Sequence, residues 1–443
     1  MTPTTPSSGP HGGSGAPALP ARSCAQATLP IALASGPDAF VVEEIPAYAP
    51  SGSGEHLFLR IEKRGITTDQ LARAVARACG RPLHDVGFAG RKDRHAVARQ
   101  WISARGVPDT EVAKIESALA PGARVLAASR HRGKLRLGHL IGNRFQLCLA
   151  PSSGEVATGV VALGERVAHV ARHGLVNRFD TQRFGVGGAT LRLARAWGRR
   201  DAVGAVRAII DPTGSWEPGD ALPEAAERAP RGSPQWSVVR GWRERPGDAA
   251  FALRSVGPQL RRLAASAAQA AVFDAVLAGR EAAGLLHVVR PGDLARRLRG
   301  RPFRCTDENC AALCAEALPG VLEVFATGPL PGSDRFLPDE AVLEAERAWS
   351  ASCEIDWSWL DRGGPLESPG DRRPLVVPLL DAPSVAPLAR APRTEAAALH
   401  EPEGIQLEIA LPAGAYATQL LRAVGVEVPA DRAEADASAT LAQ

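Results

Sequence analysis

Gly87-Phe88-Ala89-Gly90-Arg91-Lys92-Asp93-Arg94-His95-Ala96 encloses one acid, Asp93, between two cations in a glycine-hinged turn. Gln100-Trp101 follows shortly after. Cations beside a carboxylate favour its ionised form, and the same cations attract phosphate. An ionised carboxylate among such groups suits chemistry on a nucleic acid. Taken alone, the ten residues fit equally well a surface turn closed by an internal ion pair, the commoner use of such side chains.

Working outward, the flanks read as strands. Val86 to Ala89 delivers the turn at its end, and Val97 to Ser103 receives it, with Trp101 as its large apolar residue. Loops at strand ends are where functional groups concentrate. Upstream, Phe40-Val41-Val42-Glu43-Glu44-Ile45 is a short strand ended by Pro46. After the Ser51-Gly52-Ser53-Gly54 turn, His56 to Lys63 alternates, with Leu57, Leu59 and Ile61 on one face of a half-buried strand. Thr67 or Thr68 caps a helix built on Leu71, Val75 and Ala78 and stopped by Gly80. Downstream, Asp109 caps a helix carrying Val112, Ile115 and Leu119, and Gln146 to Leu149 is a strand. Val156, Val160, Leu163, Val167 and Val170 then define an amphipathic helix ending at Gly174.

From Val176 the chain becomes richer in Gly, Pro, Trp and Arg. Asn177-Arg178-Phe179-Asp180-Thr181-Gln182-Arg183-Phe184-Gly185 mixes cations with aromatics, a mixture that suits stacking and phosphate contact or a turn anchored by two core phenylalanines. Gly214 to Asp248 reads as a long irregular connection, and helical periodicity returns from Gln259 to Arg280. Strand character resumes near Arg372-Arg373-Pro374-Leu375-Val376-Val377, and Pro383 to Glu403 reads as a surface loop. Ile405 to Leu411 alternates most cleanly of all. It runs into Pro412-Ala413-Gly414-Ala415-Tyr416-Ala417-Thr418 and a helix through Leu420, Leu421 and Val424. A glycine turn there sets a helix N-terminus and one aromatic, Tyr416, beside the sheet end, a geometry for an anionic or planar ligand. Residues 1–27 read as a disordered lead-in, and the tail from Ala430 as frayed.

The 443 residues allow two or three domains. The net charge of +4 hides an asymmetry. Arg91 to Arg144 holds twelve Lys or Arg against four Asp or Glu, ending in Arg130-His131-Arg132-Gly133-Lys134-Leu135-Arg136. That is either the footprint of a polyanion partner or a solvated face. Seven scattered cysteines include one cluster, Cys305, Cys310 and Cys314, whose spacing fits no common zinc pattern. Ordinary thiols imply a reducing compartment, most simply the cytoplasm. No apolar run approaches a membrane span. There is no GxxxxGK[ST] loop, and Gly185-Val186-Gly187-Gly188 lacks the spaced third glycine of a dinucleotide fingerprint. The chemistry expected is carboxylate-based, with no metal and no cofactor.

Together these stretches resemble the TruD-type tRNA pseudouridine synthases. Gly87 to Trp101 is very similar to the family's nucleophile motif. Matches in the family's order are Phe40 to Glu43 with Pro46, Gly54-Glu55-His56, Lys134 to Gly138, and Gly142-Asn143-Arg144-Phe145. They continue through Asn177 to Gly185, Gly328-Pro329-Leu330, Arg372-Arg373-Pro374 and Leu411 to Thr418, spanning about Ile31 to Val424.

The resemblance implies an α+β fold: a pseudouridine synthase core with a mixed, mostly antiparallel sheet and flanking helices, plus an inserted α+β TRUD domain. Residues 28–175 and 372–430 would form the core and 176–371 the insert. Asp93 and Tyr416 would then share one cleft. It further implies a monomer acting on tRNA, isomerising uridine 13 of the D arm with Asp93 as nucleophile and no cofactor. Phe40, Asn143, Phe145 and Tyr416 map onto the family's base-contact positions. Arg91, Lys92, Arg94, Arg132, Lys134 and Arg136 are candidates for RNA contact. A non-catalytic RNA-binding or tRNA-folding protein on the same scaffold remains the alternative. The chain departs from the family at Arg178 (often aromatic), Asp180 (often glycine), Thr190 and Asp274 (often asparagine), Ala98 (often threonine) and Ala423 (often glutamate).

Overall fold

The structure is a computed structural model of the chain, and it describes residues 27–119, 121–152, 155–334, 336–388 and 404–429. The expected lead-in and frayed tail lie outside those residues, apart from Ala27.

The alternating strands assemble into one sheet. Its path runs Ser384–Leu388, Gly404–Pro412, Leu140–Pro151, Phe40–Pro46, Val97–Arg105, His56–Lys63, Ala123–His131. Ile31–Leu33 also pairs with Leu140–Pro151, and Val86–Phe88 with Val97–Arg105. Phe40–Pro46 runs parallel to Val97–Arg105, and the other pairings between these strands are antiparallel. The strand from the far end of the chain, Gly404–Pro412, therefore lies inside the sheet.

Two apolar clusters cover one face of this sheet. Helices Val156–His173 and Ala417–Ala423 close over Phe40, Val42, Phe145, Leu147, Leu407 and Leu411. Helices Thr68–Ala78 and Val112–Leu119 close over Leu57, Leu59, Ile61, Ile102 and Ala104. Thr67 caps the first of these through a reciprocal pair of hydrogen bonds with Gln70. His56–Lys63 is more buried than its alternation suggests, because Phe58 packs on the opposite face with Ala89 and Leu135.

The chain leaves this sheet through Leu175–Val176 and returns through Val376–Val377, two strands paired to each other. Between them lies a second core. A four-stranded sheet, in the order Phe303–Arg304, Leu294–Arg297, Val324–Leu330, Asp371–Pro374, packs on the long helix Pro258–Ala282. The mixed α+β architecture with a mostly antiparallel sheet is as the sequence reading expects.

Local expectations need three corrections. The connection 214–248 is not irregular throughout: Ser233 caps a helix, Pro234–Glu244, that buries Val238, Val239 and Trp242. Val238, Val239 and Trp242 have helical spacing, but Pro and Gly crowd both flanks and hide it. The expected loop from Pro383 contains an edge strand, Ser384–Leu388, and the rest of that loop lies outside the described residues. Ala123–His131 is a strand missed by periodicity, since its small and charged residues leave it half exposed at the sheet edge.

Candidate active site

The loop carrying Asp93 leaves Val86–Phe88 and enters Val97–Arg105, and it is fastened from beneath. Along Phe40–Pro46 the inward positions are Phe40, Val42 and Glu44. Glu44 meets Lys92 Nζ at 2.7 Å, with the two side chains 1% and 3% exposed. The other Glu44 oxygen accepts from the Trp101 backbone N–H at 3.2 Å. Lys92 N–H donates to Thr68 Oγ1 (2.9 Å), whose hydroxyl donates to Gln100 Oε1 (3.0 Å). A buried ion pair with its remaining bonds satisfied holds its register firmly, and losing one partner typically costs about 3–5 kcal/mol.

Asp93 itself is half-buried. Its carboxylate accepts from the His95 backbone N–H at 2.7 Å. The neighbouring cations are all turned elsewhere. Arg91 pairs with Asp69, Lys92 with Glu44, and Arg94 Nε donates to the Gly65 carbonyl. None of the described ion pairs involves Asp93. The cation behind it comes from thirty residues upstream. Lys63, fully buried, donates to the carbonyls of Ile66 (2.8 Å) and Asp93 (2.6 Å). Burial pushes the Lys63 ammonium down to about 8, an effect that the charge of Asp93 opposes and that of Lys92 reinforces.

The remaining candidates follow from strand register. On Leu140–Pro151, Asn143 lies opposite Glu44 on one side and Leu411 on the other, and Phe145 lies opposite Val42 and Ile409. Asn143 thus borders the residue that anchors Lys92. Its Oδ1 is buried and has no hydrogen-bond partner among the described residues. Phe40 and Phe145 meet edge to face at 5.7 Å and are 6% and 7% exposed, so in the free protein they are core residues beneath the site. Leu411 leads through the Gly414 turn to Tyr416, which is half-exposed at the N-terminus of Ala417–Ala423. Its hydroxyl accepts from Arg183 Nη2 at 3.1 Å, and its ring lies 6.4 Å from that of Phe179.

Of the cations expected to face RNA, Arg91, Arg94, Arg132 and Arg136 are exposed. Lys92 is not available: it is buried on Glu44. Lys134 donates to the His84 carbonyl. Cys305 is buried, whereas Cys310 and Cys314 are half-exposed with sulfurs 3.9 Å apart. No group of three or more metal-ligating side chains occurs among the described residues, nor any helix long and apolar enough to cross a membrane.

Comparison with known proteins agrees with this geometry. The sequence profile of tRNA pseudouridine synthase D (TruD) matches residues 31–424. The chain belongs to this family. The tRNA pseudouridine synthase D of Geobacter metallireducens is 38% identical over 402 residues, 87% of this chain and 93% of that protein. Its counterpart in Geobacter sulfurreducens is 36% identical over 402 residues, covering 88% and 92%. In fold, the chain matches the crystal structure of the putative tRNA pseudouridine synthase D of Methanosarcina mazei. The TM-score is 0.64 at 22% identity, over 91% of this chain and 95% of that one. Membership supports uridine isomerisation as the chemistry.

Sequence reasoning gave Glu44 and Lys63 no role, Thr68 only that of a helix cap and Gln100 only a place in the motif, and it read Arg183 only as part of a stretch mixing cations with aromatics. For two of them a signal existed. Glu44 follows Phe40 and Val42, and Lys63 follows Leu57, Leu59 and Ile61, at the next inward position of an alternating strand. A charge there must be paired when buried.

Proposed function

We propose that this chain is a tRNA pseudouridine synthase that isomerises uridine 13 of the D arm, with Asp93 as nucleophile. The observation that carries the reading is the Asp93 carboxylate. It is ionisable, half-exposed, tied to no cation among the described residues, and mounted on a loop whose underside is bolted by Glu44, Lys92, Thr68 and Gln100. An unpaired carboxylate keeps its oxygens free to attack, and a mobile loop would misplace it.

In this reading the target base leaves its stack. The Tyr416 ring receives it, and Asn143 Oδ1 accepts from the uracil edge. Phe40 and Phe145 shape the floor. Asp93 attacks the ribose or the base, or assists formation of a glycal. The bond from C1′ to N1 breaks, the held uracil turns, and C5 bonds to C1′. The C5 proton is lost and N1 gains one, so the product is an isomer. Lys63 fixes the Asp93 main chain and sets a positive charge behind the carboxylate. The core would comprise 28–175 with 372–430, and 176–371 would be the insert, contributing RNA contacts. The enzyme would act as a cytoplasmic monomer.

Release of tritium from C5-labelled uridine in a tRNA transcript tests this. The intact protein should release it, and a transcript with cytidine at position 13 should give none. Asp93→Asn should bind the transcript and lose roughly a thousandfold or more in turnover. Near-normal release by Asp93→Asn would move the nucleophile elsewhere. Binding without release by the intact protein would leave an RNA-binding protein on this scaffold.

A further inference from the structure

The first turn of the inserted unit docks on the helix that begins at Tyr416. Thr418 Oγ1 donates to Asp180, and Arg422 Nη1 meets the same carboxylate at 3.2 Å. Gln419 Nε2 donates to the Phe179 carbonyl at 3.2 Å. Arg373 ties Asn177 to the Gly414 carbonyl, two residues before Tyr416. Asp180 is buried, so these contacts seal a seam.

Arg183 differs from the others in what it touches. Nη1 donates to Ser266 Oγ, on the helix Pro258–Ala282, at 2.9 Å. The guanidinium lies 5.4 Å from the Phe179 ring centroid. Nη2 reaches the Tyr416 hydroxyl. The cation is thus braced from behind by the insert, and its free edge holds the far end of the ring. An aromatic side chain without such a bond rotates among its χ1 and χ2 wells within the space it has.

We infer that Arg183 is a positioning residue for the reaction, by which the inserted unit fixes the orientation of the Tyr416 ring. The inference rests on the reading of Tyr416 as the base platform. Arg183 touches neither base nor ribose; it acts through the phenol. A phenylalanine at 416 would fill the same volume and escape this control.

The test compares wild type, Tyr416→Phe, Arg183→Met and the double variant in full-length protein, by single-turnover tritium release and by affinity for the tRNA transcript. Each single variant should lose roughly three- to tenfold in rate and keep affinity within about twofold. The double should fall no further than the worse single, the signature of two groups acting through one bond. A wild-type rate in Tyr416→Phe overturns the inference. So does a multiplicative loss in the double, or a loss of affinity in Arg183→Met with rate unchanged, which would make Arg183 a phosphate contact. Tyr416→Phe keeps the packing, so the question is answerable even if Arg183→Met folds poorly. A wild-type rate in Tyr416→Ala would instead remove the platform reading, leaving Asp93 to be judged by its own variant.

Discussion

Asp274 holds a carboxyl where charge is costly. Burial pushes it up to about 7, opposed by the Phe179 N–H bond and by Arg178 and Arg373. An unfolded aspartate titrates near 4. The folded state therefore binds the extra proton between about pH 4 and 7, and stability falls as pH rises through that window. Asp274→Asn keeps an acceptor for Phe179 and cannot ionise. It should stabilise the protein by on the order of 1–3 kcal/mol at pH 8, with the gain vanishing near pH 4. Urea unfolding at both pH values checks this, and an equal gain at both would show that charge is not the cause. At this scale the sequence was a partial guide. It singled out Asp93 and the departure at Asp274, but it could not say which cation, Arg91, Lys92, Arg94 or one from elsewhere, stands beside Asp93. Side chains next to each other along an irregular loop point in different directions, so Arg91, Lys92 and Arg94 end on three different acceptors.

The short strand Val86–Phe88 is the stalk of the loop that carries Asp93, and its middle residue has no room. A Cβ on Gly87 would lie 2.1 Å from the Leu135 carbonyl oxygen, and Ser103, opposite Gly87, accepts the Leu135 N–H. The segment through Lys134 and Leu135 thus crosses the strand at backbone contact. Gly87→Ala should cost about 2–4 kcal/mol in stability and lower turnover as the stalk shifts. Gly133→Ala meets nothing within 4 Å and serves as the control, within about 0.5 kcal/mol of wild type by thermal melting. Elements with clean alternation, such as Gly404–Pro412, were legible because buried apolar residues alternate with the half-exposed Gln406 and Glu408. Ala123–His131 was not, because edge position removes the contrast on which alternation depends. The crossing at Gly87 is a long-range contact that no local pattern announces.

Over the whole molecule, the exposed cations beside the large sheet, Arg132 and Arg136, predict the salt dependence of the proposed RNA binding. Arg132→Ala with Arg136→Ala should flatten the slope of log affinity against log salt by about 1–2 and leave single-turnover rate at saturation unchanged. An unaltered slope in filter binding across salt concentrations would take this face out of the interface. That Gly404–Pro412 rejoins the large sheet was legible only through resemblance, since composition marks a change at Val176 but says nothing of which strands rejoin. The sheet's central order has a further consequence, in time. Leu140–Pro151 pairs along its length with Gly404–Pro412, a segment the ribosome makes only after all of residues 152–403. At ~5–20 residues per second the nascent chain carries an unfilled strand edge for on the order of tens of seconds. The large sheet must wait, half-built, for Gly404–Pro412, which makes this edge the place where a chaperone or a misfolding encounter would act.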